Sequence, residues 1–267
     1  MPRRAPILIY SLKEIAGSAY YRTRPVESLQ FLYSKWEFAR RRVDDPIAMV
    51  EMLGFDPVAA FSGFDRWSST LERVVFKVAQ QWGQGGINMP EGKFLFAITR
   101  TLRPEILIET GVAAGVSSCF LMAALIENGR GSLYSVDLPV AGATQLKCAD
   151  ASQYSWPQRG AGWAIPDDLK KGIGSRHQLI LEDVRTALPR LLDELGSIDF
   201  FFHDDLHLPD HMLWEYECVW KHLRDGGVLA SHDVNMGWIR FCRNRRIPRQ
   251  RLVNLNRLCA VRKNKER

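Results

Sequence analysis

The chain alternates short apolar segments with helical ones from residue 90 onward, and this alternation constrains its fold more than any other feature. We predict strands over 105–110, 132–137, 177–181, 198–203 and 227–231, and helices over 116–127, 185–195 and 212–223. Strands that alternate with helices form right-handed crossovers, which give a parallel sheet covered by helices on both faces. Near the end, β-prone residues around 252–253 and 258–261 predict an antiparallel pair that closes the sheet edge.

The first 89 residues have a different pattern and predict a helical N-terminal extension. Leu71, Val74, Val75 and Val78 fall at i, i+3, i+4 and i+7, the spacing of one helical face. No catalytic cluster occurs in this part. We therefore predict two domains, 1–89 as a lid or dimer surface in a possible homo-oligomer and 90–267 as the main α/β domain.

Composition excludes several classes of protein. With 267 residues, 46% hydrophobic and 25% charged, the chain matches folded globular proteins and not disordered ones. Its five cysteines are scattered without a C-x-x-C pair, which excludes a disulfide framework or a cysteine zinc site and favours a cytoplasmic location. No apolar run reaches the roughly 18 residues that a membrane-spanning helix needs.

Positive charge is concentrated at the C-terminal end. Residues 240–267 carry eleven Lys or Arg and one acid, whereas the rest of the chain has 25 basic and 29 acidic residues. Two interpretations remain open at this point: a solvated basic edge, or a surface that contacts nucleic acid, anionic lipid or a phosphorylated substrate.

The segment ETGVAAGVSS, residues 109–118, connects the first predicted strand to a helix. Glycines in such a turn let a ligand approach the backbone, and the helix N-terminus offers free N–H groups. Its pattern is E-x-G-x-x-x-G, with Gly111 and Gly115, and not the G-x-G-x-x-G of nicotinamide dinucleotide sites. The spacing suits a smaller ligand with a carboxylate, an ammonium group and a ribose.

Acidic residues end three of the predicted strands, where open α/β sheets bind ligands. Glu109 is placed to face a cation, and backbone amides from Gly111 to Ser117 to bind polar atoms. Asp137 ends the second strand, where an acid accepts hydrogen bonds from ribose hydroxyls. Asp183 follows the third strand, where it is placed to bind an adenine amino group beside the backbone of Val184.

These motifs, taken in order, resemble those of class I S-adenosylmethionine-dependent methyltransferases. The motifs are Glu109-Thr-Gly-x-x-x-Gly, Asp137, Glu182-Asp183 and the run DFFFHD at 199–204. The resemblance covers about residues 90–263 and is nearest to bacterial small-molecule and sugar O-methyltransferases. It implies a Rossmann-like, mostly parallel seven-stranded sheet, S-adenosylmethionine as methyl donor, and a small molecule or sugar as acceptor.

Two polar clusters follow the last two parallel strands, HDDLH at 203–207 and His232-Asp233. An alcohol acceptor must lose its proton, through a general base or through a metal that acidifies it. In related metal-dependent O-methyltransferases, acids at these positions bind magnesium; the resemblance implies Asp204 and Asp233 as ligands, with His232 where another acid often stands. A histidine ligand equally admits zinc, manganese or iron. His207, with Asp204, is the candidate base.

Other interpretations of the sequence remain open. The histidines and aspartates are also compatible with a metal-free polar cluster that caps strand ends, or with metal-dependent hydrolysis. A nucleic-acid methyltransferase using residues 240–267 and a donor-binding module without turnover are the two functional alternatives. HDDLH replaces the Asn/Asp-Pro-Pro-aromatic motif of base N-methyltransferases, which argues against a nucleic-acid partner. The irregular segment 140–175 predicts a functional loop, and Trp156, Trp163 and Trp238 are candidates to line an acceptor pocket.

Overall fold

A computed structural model describes residues 19–40, 43, 45–82, 86–139, 160–248, 253–255 and 257–264. Its centre is a seven-stranded sheet with the order β3-β2-β1-β4-β5-β7-β6. The strands are β1 Ile106–Thr110, β2 Ser132–Asp137, β3 His177–Leu181, β4 Ile198–His203, β5 Leu223–Ser231, β6 Val253–Leu255 and β7 Leu258–Arg262. Strands β1 to β5 are parallel, and β7 runs antiparallel to both β5 and β6. The predicted parallel sheet with an antiparallel edge pair is confirmed.

Helices cover both faces of this sheet. They are α1 Ala19–Arg22, α2 Pro25–Arg40, α3 Pro46–Met52, α4 Pro57–Ala60, α5 Phe64–Trp82, α6 Met89–Leu102, α7 Val116–Asn128, α8 Asp167–Ile173, α9 Val184–Leu195, α10 Pro209–His222 and α11 Met236–Asn244. No helix among the described residues is long and apolar enough to span a membrane.

Strand β4 divides the hydrophobic core into two layers. All six of its residues are buried, as expected for a central parallel strand. Phe200 and Phe202 pack on the side of α6 and α7, whereas Phe201 packs against α9, α10 and α11. The alternation follows from the two-residue period of a strand, and it also decides on which side of the sheet each site residue at the strand ends points.

The N-terminal helices are part of the first core layer. Met49 of α3 and Leu71 of α5 are fully buried in the same hydrophobic cluster as Phe96 of α6 and Phe120 of α7. Residues 46–82 therefore contribute to the core that supports the sheet. A domain boundary at residue 89 stays a prediction.

The structure corrects the prediction of a continuous loop from 140 to 175. Residues 140–159 lie outside the described part, but Asp167–Ile173 form helix α8. Leu169 and Ile173 of α8 are buried against the core. The helix escaped prediction because its sequence DDLKKGI has only two apolar positions, Leu169 and Ile173, which are too few to give a clear period.

Candidate active site

The carboxyl ends of β1, β4 and β5 lie in register and determine the site. Thr110 pairs with His203, and His203 pairs with Ser231. Beyond this row, the Asp204 N–H donates to the Thr110 carbonyl (2.8 Å) and the His232 N–H to the His203 carbonyl (2.9 Å). The sheet spacing therefore continues for one residue and aligns Gly111, Asp204 and His232 side by side.

The turn between β1 and α7 is bound to the end of β2 by Asp137. One carboxylate oxygen of Asp137 accepts the N–H groups of Val112 (3.0 Å) and Ala113 (2.7 Å), and the other accepts the N–H of Leu138 (2.7 Å). Burial raises the pKa of Asp137, and these backbone hydrogen bonds partly offset the rise. Gly111 completes the connection, since its N–H donates to the Val136 carbonyl.

Chain packing explains both glycines of the turn. Gly111 has a φ of 81°, and a β-carbon there would lie 2.2 Å from the backbone oxygen of Asp204. Gly115 has a φ of 90°, and its β-carbon would lie 2.5 Å from the side chain of Ile165. The segment 160–166 folds onto the turn through N–H bonds from Gly162 to the Ala113 carbonyl and from Ala164 to the Ala114 carbonyl. In this structure another part of the chain makes the close approach for which we expected a ligand.

Glu109 is fully buried behind the turn. Its carboxylate accepts hydrogen bonds from the hydroxyls of Ser117, Ser118 (2.6 Å) and Ser135 (2.9 Å). Burial raises the pKa of Glu109 to about 7, although the three hydroxyls oppose the rise. Both Glu109 and Ser117, which we predicted to contact a ligand directly, are thus bonded to other side chains that shape the turn.

Asp183 and Val184 mark the beginning of α9 at the end of β3. The Asp183 side chain caps the helix by accepting the N–H of Arg185 at 2.7 Å. The Val184 side chain is buried beneath it. The contact of Asp183 and Val184 with an adenine stays a prediction.

Four side chains beyond β4 and β5 form a compact group of possible metal ligands: Asp204, His207, His232 and Asp233. One donor atom from each lies within 4.8 Å of the donor atoms of the other three. His232 Nδ1 is 2.9 Å from Asp204 Oδ1 and 3.6 Å from Asp233 Oδ2, and His207 Nε2 is 3.4 Å from Asp204 Oδ1. The structure thus brings together every residue that the sequence predicted for catalysis or metal binding, and adds His207 to the ligand set.

The charges of this group compensate one another. Burial alone would raise the pKa values of Asp204 and Asp233, but the nearby His232 and His207 hold both below their usual range. Burial alone would lower the pKa values of the two histidines, but the two aspartates raise both. Each aspartate therefore favours the protonated form of the neighbouring histidines, and each histidine favours the ionised form of the neighbouring aspartates.

Two residues that contact this group, Glu91 and Arg257, escaped the sequence analysis. Glu91 and Asn88 form the capping box of α6, which orients the buried Glu91 carboxylate so that its Oε2 lies 3.5 Å from His232 Nε2. Arg257, in the turn between β6 and β7, lies 3.1 Å from Asp233 Oδ1. The capping pattern N-x-x-E at 88–91 is visible in the sequence, but its proximity to β5 depends on tertiary packing.

A second cluster lies on the opposite side of the sheet edge, around Glu215 of α10. The buried Glu215 carboxylate accepts hydrogen bonds from Thr110 (2.8 Å) and contacts His203 Nδ1 (3.1 Å) and His211 Nε2 (2.7 Å). His211 Nε2 also lies 3.3 Å from Asp205 Oδ2. His211 therefore belongs to a buried ionic network beneath the site.

Most basic residues described after position 239 have internal partners. Arg240 pairs with Asp210, Arg245 with Glu217 and Arg257 with Asp233. Arg262 and Lys263 donate to backbone carbonyls. The acceptors are Leu53, Gly54 and Gly226 for Arg262, and Trp220 and Leu223 for Lys263. These contacts favour a structural role for this basic segment over a nucleic-acid surface.

Two of the three tryptophans considered for an acceptor pocket are described. Trp238 is fully buried and packs edge-on against Tyr216, so it cannot line an open pocket. Trp163 is partly buried against the core, with the Lys77 ammonium over its ring. Trp156 lies outside the described residues.

Comparison with known proteins identifies the domain that carries this site. Residues 108–234 match the family described as "Methyltransferase domain". A protein of Mycolicibacterium paratuberculosis named "Putative O-methyltransferase" is 28% identical over 156 residues, which cover 58% of this chain and 60% of that protein, and a Mycobacterium avium protein of the same name matches to the same extent.

Solved structures with similar chains include an O-methyltransferase from Bacillus cereus in complex with SAH, 16% identical, with a TM-score of 0.48. The aligned residues cover 73% of this chain and 91% of the Bacillus cereus chain. The O-methyltransferase TomG from Streptomyces achromogenes, in complex with SAM, is 15% identical with a TM-score of 0.49, covering 73% and 89%.

The match spans β1 to the residues just after β5 and so includes the glycine turn, Asp137, Asp183 and the four-residue group. Within these residues, the chain is similar to a methyltransferase domain.

Proposed function

We propose that the protein transfers the methyl group of S-adenosylmethionine to a hydroxyl of a small molecule or a sugar. The observation that carries this proposal is the register of the strand ends, which aligns Gly111 of the donor turn with Asp204 and His232. Methyl transfer needs donor and acceptor in near-attack geometry. A donor turn and an acceptor-activating group on neighbouring strands meet that need.

The donor would bind across the ends of β1, β2 and β3. Among the described residues, Asp137 Oδ1 accepts one backbone hydrogen bond, which leaves capacity for a ribose hydroxyl, and Asp183 with Val184 would contact the adenine. Helix α7 begins at Gly115 without a side-chain cap, so its first N–H groups are available for the donor carboxylate. We propose Glu109, Gly111 and Ser117 as residues that shape this turn.

The acceptor would be activated at the four-residue group. As the bond from sulfur to the methyl carbon breaks, a bond from the acceptor oxygen to that carbon forms, and the hydroxyl proton passes to solvent. We propose Asp204, His207, His232 and Asp233 as the residues that favour the deprotonated acceptor. A divalent ion held by these residues would acidify the hydroxyl. His207, predicted as a base, is assigned to this group because its Nε2 lies among the donor atoms.

The same residues support an O-directed reaction over the alternatives. HDDLH stands where base N-methyltransferases have a proline-rich motif, and the curated relatives are named as O-methyltransferases. The chain spans only 60% of those relatives, so we transfer their activity as a proposal. We also propose a cytoplasmic location, supported by the free thiols of Cys119, Cys218 and Cys242.

Calorimetry with S-adenosylhomocysteine, followed by transfer of labelled methyl groups to a panel of phenols and sugars, tests this function. We expect micromolar binding of S-adenosylhomocysteine and transfer to at least one acceptor class. Asp204→Asn should retain binding of S-adenosylhomocysteine but reduce methyl transfer at least 100-fold. Asp193→Asn, on the surface of α9, should leave both binding and transfer unchanged. Binding without any transfer would instead identify a donor-binding module, and absence of binding would exclude both.

A further inference from the structure

We infer that Asp204, His207, His232 and Asp233 form a two-histidine, two-carboxylate centre that binds a first-row transition ion in preference to magnesium. The inference deepens the proposed function, since it specifies the ion for the group that would activate the acceptor. It departs from the magnesium that the family resemblance implies. The reason is the chemistry of the donor atoms in this chain.

The separations of the donor atoms match those around a single ion. Ligands about 2.0–2.1 Å from a metal lie about 3.0–3.4 Å from one another in octahedral or tetrahedral geometry. In the structure, three of the separations are 2.9, 3.4 and 3.6 Å, all involving Asp204 Oδ1 or His232 Nδ1. All four side chains thus offer donor atoms within 4.8 Å of one another, and three of the separations are close to those around a single ion.

The donor types select against magnesium. Mg²⁺ requires hard oxygen ligands and usually keeps several waters, whereas imidazole nitrogen suits zinc, iron, copper and nickel. Two of the four donors are imidazoles from His207 and His232. Two neutral imidazoles and two carboxylates also balance the charge of a divalent ion, which an all-imidazole site would not.

The Nε2 atoms of His207 and His232 are buried and have no hydrogen-bond partner among the described residues. His207 Nε2 is buried and has no hydrogen bond of good geometry, although Asp204 lies at 3.4 Å. A buried nitrogen without a partner has lost its hydrogen bonds to water without replacement, and it calls for an explanation. An ion bound at His207 Nε2 would supply the missing partner.

Glu91 lies on the far side of His232 from the aspartates. Its Oε2 is 3.5 Å from His232 Nε2, while His232 Nδ1 faces Asp204 and Asp233. Metal-bound histidines almost always direct their second nitrogen at a carboxylate or carbonyl, which fixes the tautomer and the ring orientation. The order Glu91, His232, aspartates reproduces that arrangement.

Backbone strain at Asp233 supports a functional role. Asp233 has a φ of 47°, a left-handed conformation that is uncommon outside glycine. This conformation directs its carboxylate toward His232 and Arg257. Strain of this kind concentrates at sites where a side chain must be aimed.

The second group of possible ligands, Asp205, His211 and Glu215, lacks these properties. His211 Nε2 lies 2.7 Å from Glu215 Oε1 and 3.3 Å from Asp205 Oδ2, so two carboxylates already share this nitrogen. No His211 nitrogen is among the buried atoms without a partner in the described part of the chain. We therefore assign the ion to the first group and use His211 as a control.

Titration of chelator-treated protein with Co²⁺ tests the inference, because Co²⁺ absorbs visible light when it has nitrogen ligands. We expect one Co²⁺ per chain, with an affinity at least 100-fold above that for Mg²⁺ in matched calorimetric titrations. This titration contains neither S-adenosylmethionine nor a methyl acceptor. Failure of this test is thus distinguishable from failure of the proposed function, which is judged by binding of S-adenosylhomocysteine.

Variants locate the bound ion. Two variants should each weaken Co²⁺ binding at least tenfold: His207→Asn, at a partly exposed position, and His232→Asp. His232→Asp should also reduce the ratio of the Co²⁺ affinity to the Mg²⁺ affinity. Glu91→Gln, which retains the capping box, should weaken Co²⁺ binding about tenfold. His211→Gln and His222→Gln should leave it unchanged. Circular dichroism and thermal melting confirm that each variant is folded.

Three outcomes would overturn the inference. The first is Mg²⁺ binding as tight as that of Co²⁺, and the second is absence of Co²⁺ binding up to millimolar concentration. The third is loss of Co²⁺ binding in folded His211→Gln protein together with unchanged Co²⁺ binding in folded His207→Asn protein. That result would assign the ion to the other cluster.

Discussion

Gly111 contacts the backbone of Asp204 so closely that a β-carbon at position 111 would lie 2.2 Å from the Asp204 carbonyl oxygen. Gly111 belongs to the turn after β1, and Asp204 is the first residue after β4. The contact makes the spacing between the donor turn and the activating group a property of the backbone. Side-chain rearrangement cannot relieve it.

Replacing Gly111 by alanine should therefore be strongly destabilising. The new methyl group would meet backbone atoms of Asp204 and Asp205, and the φ of 81° would be strained as well. We expect a loss of about 3 kcal/mol or more, measured by urea denaturation. Gly129→Ala is the matched control, because its φ is 65° but nothing lies within 4 Å of the new carbon. It should cost only about 1–2 kcal/mol, the cost of the left-handed conformation. Equal losses would contradict the packing argument.

The fold was largely predictable because the strands are short, buried and regularly alternating with helices. β2, β3 and β4 have the bounds that the sequence predicts, and β1 and α7 differ by one residue at one end. Helices α6 and α11 were missed, because their buried faces depend on tertiary neighbours such as Phe120 for α6. A local pattern cannot report such contacts.

For the site, the sequence identified the residues but not their arrangement. Strand-end position was enough to bring Asp204, His232 and Asp233 together, since parallel strands share one carboxyl edge. The bonding of Glu109 to three serines was not predictable, because Ser135 approaches from another strand. The approach of Ile165 to Gly115 was equally hidden, because it depends on the path of the chain between residues 138 and 166.

Asp137→Asn should weaken binding of S-adenosylhomocysteine by about 10–100-fold. The Asp137 carboxylate accepts three backbone N–H groups. In asparagine, the side-chain NH₂ would replace one of the two oxygens, so two hydrogen-bond donors would point at each other. Asp183→Asn is the control, since asparagine caps helices well and retains an oxygen for adenine. It should cost less than tenfold. Calorimetry compares the two, and unchanged binding in Asp137→Asn would refute the assigned role of Asp137.

Stability should fall as the pH rises from about 4.5 to 7, because of Glu109. The pKa of Glu109 is raised from 4.5 to about 7, chiefly by burial, so the folded state retains a proton that the unfolded state has lost in this range. The stabilisation is complete below pH 4.5 and lost as the pH rises through 7, with a size on the order of 3 kcal/mol. Glu109→Gln should flatten this part of a plot of unfolding free energy against pH, whereas Glu72→Gln on the surface of α5 should not. An unchanged slope in Glu109→Gln would contradict the prediction.

Replacing Glu215 by alanine should destabilise the protein more than replacing any other carboxylate of α10. Its removal takes the carboxylate from the buried His203 Nδ1 and one of two carboxylates from His211, and breaking such a buried pair typically costs about 3–5 kcal/mol. Glu217→Ala, on the same helix, removes only a partly exposed pair with Arg245 and should cost less than about 1 kcal/mol. Chemical denaturation at pH 7 measures both.

The pH dependence of the Glu215 network provides an independent check. Burial alone would lower the pKa of His211, but Asp205 and Glu215 raise it to about 9. The stabilisation from His211 is therefore complete below pH 6.5 and is lost as the pH rises through 9. We expect the wild-type protein to lose stability in this range and Glu215→Gln to lose much less, because one of the two carboxylates that hold the His211 proton becomes neutral. If Glu215→Gln and wild type lose equal stability between pH 6.5 and 9, another group is responsible for the alkaline transition and the network does not hold a proton on His211.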